Sequence, residues 1–178
     1  MPSYVAFLRA VNVGGRFVKM ADLRVALEEA GFTDVATHIQ SGNVFVRSAR
    51  RSTTAVGSEM STVLGEFAGF DVPCVVRTPA QLRAGLAAVD AVPPLIEGGR
   101  RYVAFADGTV PAAAATQLDA WDVPGERCKV LGSEILAELA HGFQNTKLTN
   151  TRIERITGRT TTWRDLKVVR ALDEKWGA

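Results

Sequence analysis

The sequence contains an internal repeat, and this repeat constrains the fold more than any other feature. Residues 4–7 read Tyr-Val-Ala-Phe, and the same residues recur at 102–105. Each copy is followed by the same predicted order of strands and helices, and a stretch rich in proline and glycine, residues 91–99, lies between the two halves. The repeat therefore predicts a tandem duplication, in which two similar subdomains make up the chain.

Hydrophobic periodicity predicts the order β-α-β-β-α-β plus a final helix in each half. In the first half, the predicted strands are 4–8, 32–40, 44–46 and 71–77, and the predicted helices are 20–30, 50–67 and 79–89. In the second half, the predicted strands are 102–105, 126–131, 134–139 and 159–163, and the predicted helices are 111–121, 151–157 and 166–176. This order is typical of ferredoxin-like folds. The sequence therefore predicts an α+β fold of two tandem ferredoxin-like subdomains, residues 1–90 and 100–178, with a linker at 91–99.

The first predicted strand has no polar face, although a ferredoxin-like sheet carries helices on only one side. Tyr4, Ala6 and Leu8 are expected on one face, and Val5 and Phe7 on the other. All of them are hydrophobic, so both faces of the sheet are expected to be buried. We expect the helix-free face to be covered by the other half of the chain or by a second copy, so the protein is a monomer or a homodimer.

Polar residues and glycines cluster in two segments at the ends of predicted strands, residues 9–19 and 40–43. In the ferredoxin-like order, strand 3 lies between strands 1 and 2, so the two segments are expected at one end of the sheet, about 10 Å apart. Backbone N–H groups and polar side chains are available to ligands at such junctions. The predicted site binds a small polar or anionic ligand through Arg9, Asn12, Gly14, Gly15, Lys19, Gln40, Ser41 and Asn43, with Arg16 as a further cation.

Ordinary turn chemistry is the alternative interpretation of the same residues. Glycine supplies positive φ in turns, and asparagine side chains hydrogen-bond to nearby backbone groups. On this interpretation, Asn12 and Asn43 stabilise their own loops and bind no ligand. The spacing of Gly14 and Gly15 matches neither the dinucleotide-binding nor the P-loop signature.

No recognised catalytic or metal-binding motif accompanies the two segments. The histidines, His38 and His141, and the two cysteines, which lie in separate halves, do not have the spacing of metal ligands. Ser41 lacks the Gly-x-Ser-x-Gly context of a nucleophile elbow. An enzyme would need Ser41 within hydrogen-bond reach of His38 or a carboxylate. We therefore favour a binding protein over an enzyme, and expect no cofactor and no metal.

Several segments are similar to those of a known bacterial family. They are Arg-Ala-Val-Asn-Val-Gly-Gly at 9–15, Lys-Met-Ala-Asp-Leu-Arg at 19–24, Gly-Phe at 31–32, Gln-Ser-Gly-Asn-Val at 40–44, Lys-Leu-Thr-Asn at 147–150 and Thr-Trp-Arg-Asp at 162–165. The chain resembles the domain of unknown function 1697 family, although Asp165 and Leu166 stand where that family usually has asparagine and tryptophan. The resemblance implies a cytoplasmic bacterial protein with two plait-like subdomains, and it implies no activity. The polar residues of its C-terminal segments give a predicted secondary site, Lys147, Asn150 and Arg164.

Composition and charge limit the classes of partner and the compartment that we expect for this protein. With 47% hydrophobic residues the chain is a globular protein, and no hydrophobic run approaches the roughly 20 residues of a membrane-spanning helix. Two cysteines, Cys74 and Cys128, make no disulfide scaffold, which favours the cytoplasm. The alternative function is nucleic-acid binding through a basic C-terminal run, Arg152, Arg155, Arg159, Arg164, Lys167 and Arg170. We rank it second because the net charge is only +2, and because Phe7 and Phe45, the available aromatic residues, are expected on opposite faces of the sheet.

Overall fold

The structure is a computed structural model that describes residues 1–40 and 42–177. Within this part of the chain it is an α+β protein with two four-stranded antiparallel sheets and six α-helices. The chain divides into two compact units, unit 1 (Met1–Leu82 with Lys175–Ala178) and unit 2 (Arg83–Glu174). No helix among the described residues is long and hydrophobic enough to cross a lipid bilayer.

Unit 1 contains the strands and helices predicted for the first half. They are β1 (Ser3–Leu8), α1 (Met20–Glu29), β2 (Thr33–His38), β3 (Asn43–Arg47), α2 (Thr53–Ala68) and β4 (Cys74–Arg77), and α3 (Pro79–Asp90) continues into unit 2. The strand order is β2-β3-β1-β4, and all neighbouring strands are antiparallel. β1 and β2 therefore run in the same direction with β3 between them. As a result, the loop after β1 and the turn after β2 lie at the same end of the sheet.

The core of unit 1 packs α1 and α2 against one face of this sheet. Tyr4 and Leu8 on β1 belong to the same buried cluster as Leu23 on α1 and Met60 on α2. The hydroxyl of Ser52 caps the N-terminus of α2 by accepting a backbone N–H, which fixes where this helix begins. The packed helices hold β1 in place, and β1 carries the loop of the candidate site.

The opposite face of the unit 1 sheet is buried as well. Val5 and Phe7 have no exposed surface, as expected from a strand without a polar face. Phe45 lies directly opposite Val5 in the β1–β3 pair, so Phe45 and Phe7 share one face. The expectation that they lie on opposite faces is therefore wrong, because the register of β3 decides which face Phe45 occupies. Phe45 packs against Trp176, with ring centroids 5.7 Å apart, so neither phenylalanine offers an open platform.

Unit 2 contains the elements predicted for the second half. They are β5 (Arg100–Ala106), α4 (Ala112–Asp119), β6 (Glu126–Leu131), β7 (Glu134–Leu139), a 3-10 turn (Phe143–Asn145), α5 (Asn150–Thr157), β8 (Thr161–Asp165) and α6 (Leu166–Trp176), whose end belongs to unit 1. The order β6-β7-β5-β8 corresponds to that of unit 1. The sequence predicts that this helix begins at Thr151, but the hydroxyl of Thr149 accepts the N–H of Arg152, so α5 begins one residue earlier, at Asn150. The predicted linker, residues 91–99, lies within unit 2.

Candidate functional site

The loop after β1 and the turn before β3 are in direct contact. The Asn12 side-chain Nδ2 donates to the carbonyl oxygen of Gln40 at 2.7 Å, and its Oδ1 accepts the N–H of Val18 at 2.8 Å. The N–H of Leu8 donates to the carbonyl oxygen of Gly42 at 2.8 Å. These bonds confirm that the two predicted segments converge, and the distance between them is that of a hydrogen bond rather than 10 Å.

Unusual backbone conformations concentrate in the same two loops. Among the described residues, four that are not glycine have a positive φ: Ala10 (58°), Asn12 (57°), Ile39 (52°) and Asp34 (52°). The first three lie in the two loops, and Ile39 is the least expected because its β-branched side chain disfavours this region. Such residues persist only where their surroundings hold them. The loops therefore have a shape that packing imposes on them.

Gly14 and Gly15 form the tip of the first loop. Their φ angles are +59° and +84°, and positive values at both central positions are those of a type I′ turn. The N–H of Arg16 donates to the carbonyl oxygen of Val13 at 3.1 Å, which closes the turn. An added Cβ at either glycine would meet nothing within 4 Å, so glycine is required here for its backbone conformation and not for space.

Asn43 and Gly42 hold the second loop. Asn43 is fully buried, and its side-chain Nδ2 donates to the carbonyl oxygen of His38 at 3.1 Å. Gly42 has a φ of +76°, and an added Cβ would lie 2.8 Å from Cβ of Leu8. Asn43, and Asn12 through its bond with Val18, therefore bind nearby backbone groups as the turn interpretation expects, whereas the bond from Asn12 to Gln40 crosses between the loops. Ser41 lies outside the described residues, so the pairing of Ser41 with His38 stays a hypothesis.

Positive charge is concentrated in the first of the two joined loops. Arg16 and Lys19 are exposed, Arg9 is partly buried, and the Arg16 guanidinium lies 5.3 Å from the centroid of the Phe70 ring. Of the chain's 21 basic and 19 acidic residues, three basic and no acidic residues lie in 9–19, which leaves 18 basic and 19 acidic residues elsewhere. The first loop therefore carries a positive charge that the rest of the sequence does not.

Three hydrophobic side chains of the joined loops face solvent. Phe17 is 80% exposed, Val13 is 58% exposed and Ile39 is 50% exposed. Val13 follows Asn12 directly in the chain. Phe17 and Ile39 directly precede Val18 and Gln40, the two residues to which the Asn12 side chain bonds. Sequence patterns did not single out Phe17 or Ile39. The available signal was an aromatic residue directly after Arg16, in a segment with no helical or strand periodicity.

The predicted secondary site is not assembled on one face. In unit 2, the N–H of Lys147 donates to Glu126 Oε1 at 2.7 Å, and Asn150 Oδ1 accepts the hydroxyl of Thr161 at 3.0 Å. Arg164 lies three positions along β8 from Thr161 and therefore on the other face of the strand. Arg164 is buried, and this burial lowers its pKa to about 10. A secondary ligand site at these residues stays a prediction.

The basic C-terminal run is dispersed over several local contacts. Arg170 pairs with Asp90 at 2.6 Å, and Arg159 Nε donates to the carbonyl oxygen of Thr109 at 3.1 Å. Arg164 is buried, so it does not share an exposed surface with the others. Nucleic-acid binding by this run stays a prediction.

Each unit also has a small cavity at the sheet end opposite to the hairpin turn of its second and third strands. The unit 1 cavity has a volume of about 190 Å³ and is lined by Gly31, Ser48 and Arg50, among others. The unit 2 cavity has a volume of about 130 Å³, with Gly125 and His141 in its wall. Because the two cavities occupy equivalent places in the two units, we attribute them to the fold and not to a ligand.

The two thiols are not activated as nucleophiles in the folded protein. Burial raises the pKa of Cys74 and that of Cys128 to about 12 each, so both thiols are protonated near neutral pH. Within residues 1–40 and 42–177, no three side chains of the His, Cys, Asp or Glu type are grouped so that they could hold a metal ion. The described residues of the joined loops offer cations, amides and backbone N–H groups to a ligand.

Fold and site together define an α+β protein that presents a cationic, glycine-containing loop at the end of an antiparallel sheet. Residues 1–136 match the model of the family described as "Protein of unknown function (DUF1697)", and the chain belongs to this family. The matched region includes both loops of the candidate site.

A solved structure, that of a conserved bacterial protein from Streptococcus pneumoniae, is similar over the whole chain. The TM-score is 0.76 at 18% sequence identity, and the alignment covers 100% of this chain and 99% of that one. At this level of identity the likeness concerns the fold alone. No curated protein matches the chain.

Proposed function

We propose that the protein binds a small anionic or polar ligand where loop 9–19 meets residues 40–43. The observation that carries this proposal is the hydrogen bond from Asn12 to Gln40, because it joins two polar segments, distant in sequence, into one surface. The positive φ values at Ala10 and Ile39 support a preformed binding surface, since such conformations are held by their surroundings.

Electrostatics favours an anion over a neutral ligand. Arg9, Arg16 and Lys19 lie within one loop that has no acidic residue. α1 begins directly after this loop, and its capping residue, Lys19, makes no side-chain hydrogen bond to the first turn. The first N–H groups of a helix lack partners within the helix and form its positive end. Carboxylate or phosphate oxygens would satisfy such N–H groups and the cations together.

We also infer that each unit is a ferredoxin-like subdomain and that the two arose by tandem duplication. The corresponding strand orders β2-β3-β1-β4 and β6-β7-β5-β8 support this inference. The recurrence of Tyr-Val-Ala-Phe within β1 and β5 supports it as well. Two free thiols, Cys74 and Cys128, are consistent with a place in the reducing cytoplasm.

A titration with inorganic phosphate, followed through the backbone amide NMR signals, tests the proposed site. We expect the signals of Gly14 and Gly15 to shift as phosphate is added. In the Arg16→Ala variant the affinity should fall about fivefold, because an exposed ion pair contributes up to about 1 kcal/mol.

Arg51→Ala is the matched control for this titration. Arg51 is also an exposed arginine of unit 1, but it lies beyond the other end of β3. Phosphate affinity should therefore stay unchanged in this variant. The proposal fails if phosphate shifts no signal of the two loops, or if both variants lose the same affinity.

A further inference from the structure

We propose that the ligand is a nucleotide, whose base stacks on the ring of Phe17 while its phosphate lies between the cations of the same loop. This inference rests on the proposed function, and it adds the class of the ligand. It starts from the exposure of Phe17, which at 80% is the highest among the large hydrophobic side chains of the described residues. An aromatic ring so exposed can stack against a base with little rearrangement of the protein.

The backbone on both sides of Phe17 is fixed, although its ring is in solvent. The carbonyl oxygen of Arg16 accepts the N–H of Asn12 at 2.8 Å, and the N–H of Val18 donates to the Asn12 side chain at 2.8 Å. The side chain of Val18 is buried in the unit 1 core. The ring therefore projects from a held loop, so a base that stacks on it would not have to order a mobile segment first.

Cation and ring are next to each other in the chain. Arg16 and Lys19 lie within two positions of Phe17, so their Cα atoms are at most about 8 Å from its own, and a ligand the size of a nucleotide could reach a cation from the ring. Lys19 and the N-terminus of α1 follow within the same loop. A plain anion such as sulfate would use the cations and leave the ring in water. A ligand with a phosphate and an aromatic base would use both.

Nearby side chains suit any base and do not select one. Gln40 is exposed, and its side-chain amide offers both a donor and an acceptor to the edge of a base. Val13 and Ile39 supply exposed hydrophobic surface beside the loop. Stacking on an aromatic ring tolerates every base, because each base has a π face. We therefore expect binding of several nucleotides, with purines favoured by their larger rings.

Three ligands that share a phosphate group test the inference by isothermal titration or NMR: inorganic phosphate, ribose 5-phosphate, which adds the sugar, and AMP, which adds the sugar and the base. We expect AMP to bind about tenfold more tightly than ribose 5-phosphate, which is the gain typical of one base stacked on an aromatic side chain. The Phe17→Ala variant should lose this gain and keep its affinity for ribose 5-phosphate. Because Phe17 is exposed, this variant should fold and melt like the original protein.

Phe67→Ala is the matched control, since Phe67 is a second exposed phenylalanine of unit 1 and lies on α2. It should bind all three ligands like the original protein. Equal affinities for AMP and ribose 5-phosphate would overturn the nucleotide inference and leave the anion site standing, whereas failure of all three ligands to bind overturns both. A tetra-adenylate that binds where AMP does not would overturn the free nucleotide in favour of single-stranded nucleic acid.

Discussion

Asn12 is the residue on which the candidate site depends most. Its side chain satisfies the carbonyl oxygen of Gln40 and the N–H of Val18 at the same time, and its own φ is +57°. Asparagine is one of the few residues other than glycine that adopt this conformation readily. One residue type therefore meets two requirements, a bridging amide and a left-handed backbone.

Replacing Asn12 separates these two requirements. Asn12→Ala loses both hydrogen bonds and puts alanine at positive φ, so we expect the free energy of unfolding to fall by about 2 kcal/mol. Asn12→Gly loses the hydrogen bonds but accepts the conformation, and should cost about 1 kcal/mol. Urea denaturation measures both, and exchange of the Val18 amide hydrogen should be faster in both variants. Unchanged stability in both would contradict the bridging role.

Cys128 makes stability depend on pH at the alkaline end. Burial, and then the negative charges of Asp119 and Glu126, raise its pKa from 9.0 to about 12. The folded protein therefore holds this proton more tightly than the unfolded chain does. The resulting stabilisation is complete below pH 9 and is lost as the pH rises toward 12. Urea unfolding across this pH range should show the decline, and Cys128→Ala should make it shallower.

The reactivity of the same thiol offers a direct measurement. In a Cys74→Ala variant, Cys128 is the remaining cysteine, so a thiol reagent reports on it alone. At about pH 8 we expect reaction only as fast as the protein unfolds, because a buried, protonated thiol is a poor nucleophile. Rapid reaction in the absence of denaturant would show that Cys128 is accessible and would contradict the raised pKa.

β1 and the turn before β3 approach each other more closely than strand pairing alone requires. The N–H of Leu8 donates to the carbonyl oxygen of Gly42, and a Cβ at Gly42 would lie 2.8 Å from Cβ of Leu8. This close approach is what brings the second loop beside the first. Gly14 also has a positive φ, but it has open space around it.

Alanine at these two glycines should therefore have different effects. Gly14→Ala meets only the backbone penalty and should lower the free energy of unfolding by about 1–2 kcal/mol. Gly42→Ala meets the same penalty and a clash with Leu8, so it should cost at least about 1 kcal/mol more. Urea denaturation of the two variants measures the difference. Equal losses would mean that the turn moves away from β1 at no cost.

Charge is unevenly distributed over the whole molecule. Loop 9–19 has three basic and no acidic residues, while the remaining chain is close to neutral. An anion that binds at this exposed loop is attracted by charges that salt screens, with a Debye length of about 10 Å at 0.1 M ionic strength. The affinity of the proposed site should therefore depend on the salt concentration.

We expect phosphate affinity to fall severalfold between about 50 mM and 500 mM sodium chloride. The Lys19→Ala variant should bind more weakly at low salt and lose less affinity as salt is added. Arg51→Ala should keep the salt dependence of the original protein, because Arg51 lies away from the loop. Titration by NMR at several salt concentrations measures these slopes. An affinity independent of salt would exclude the loop cations from binding.

Much of the fold could be predicted because the relevant signals are local. The sequence predicts β6 and β7 with the bounds that the structure has, since neither run contains glycine or proline and Gly132 marks the turn between them. The start of α5 was missed because both Thr149 and Thr151 suit a helix cap, and the hydrogen bond to the N–H of Arg152 decides between them. Phe45 was assigned to the wrong face because register is a property of the pair of strands.

Short-range patterns were enough to identify the strands, the helices, the repeat and the two polar segments, because periodicity and turn residues act within a few positions of the chain. Folding in three dimensions was needed to turn those segments into a site. Asn12 and Gln40 are 28 positions apart and meet only through the order of the strands. The same packing buries Asn43, holds Asn12 at its bridging position, and leaves Phe17 in solvent beside the cations. Burial and contact depend on the whole molecule, and no local pattern encodes them.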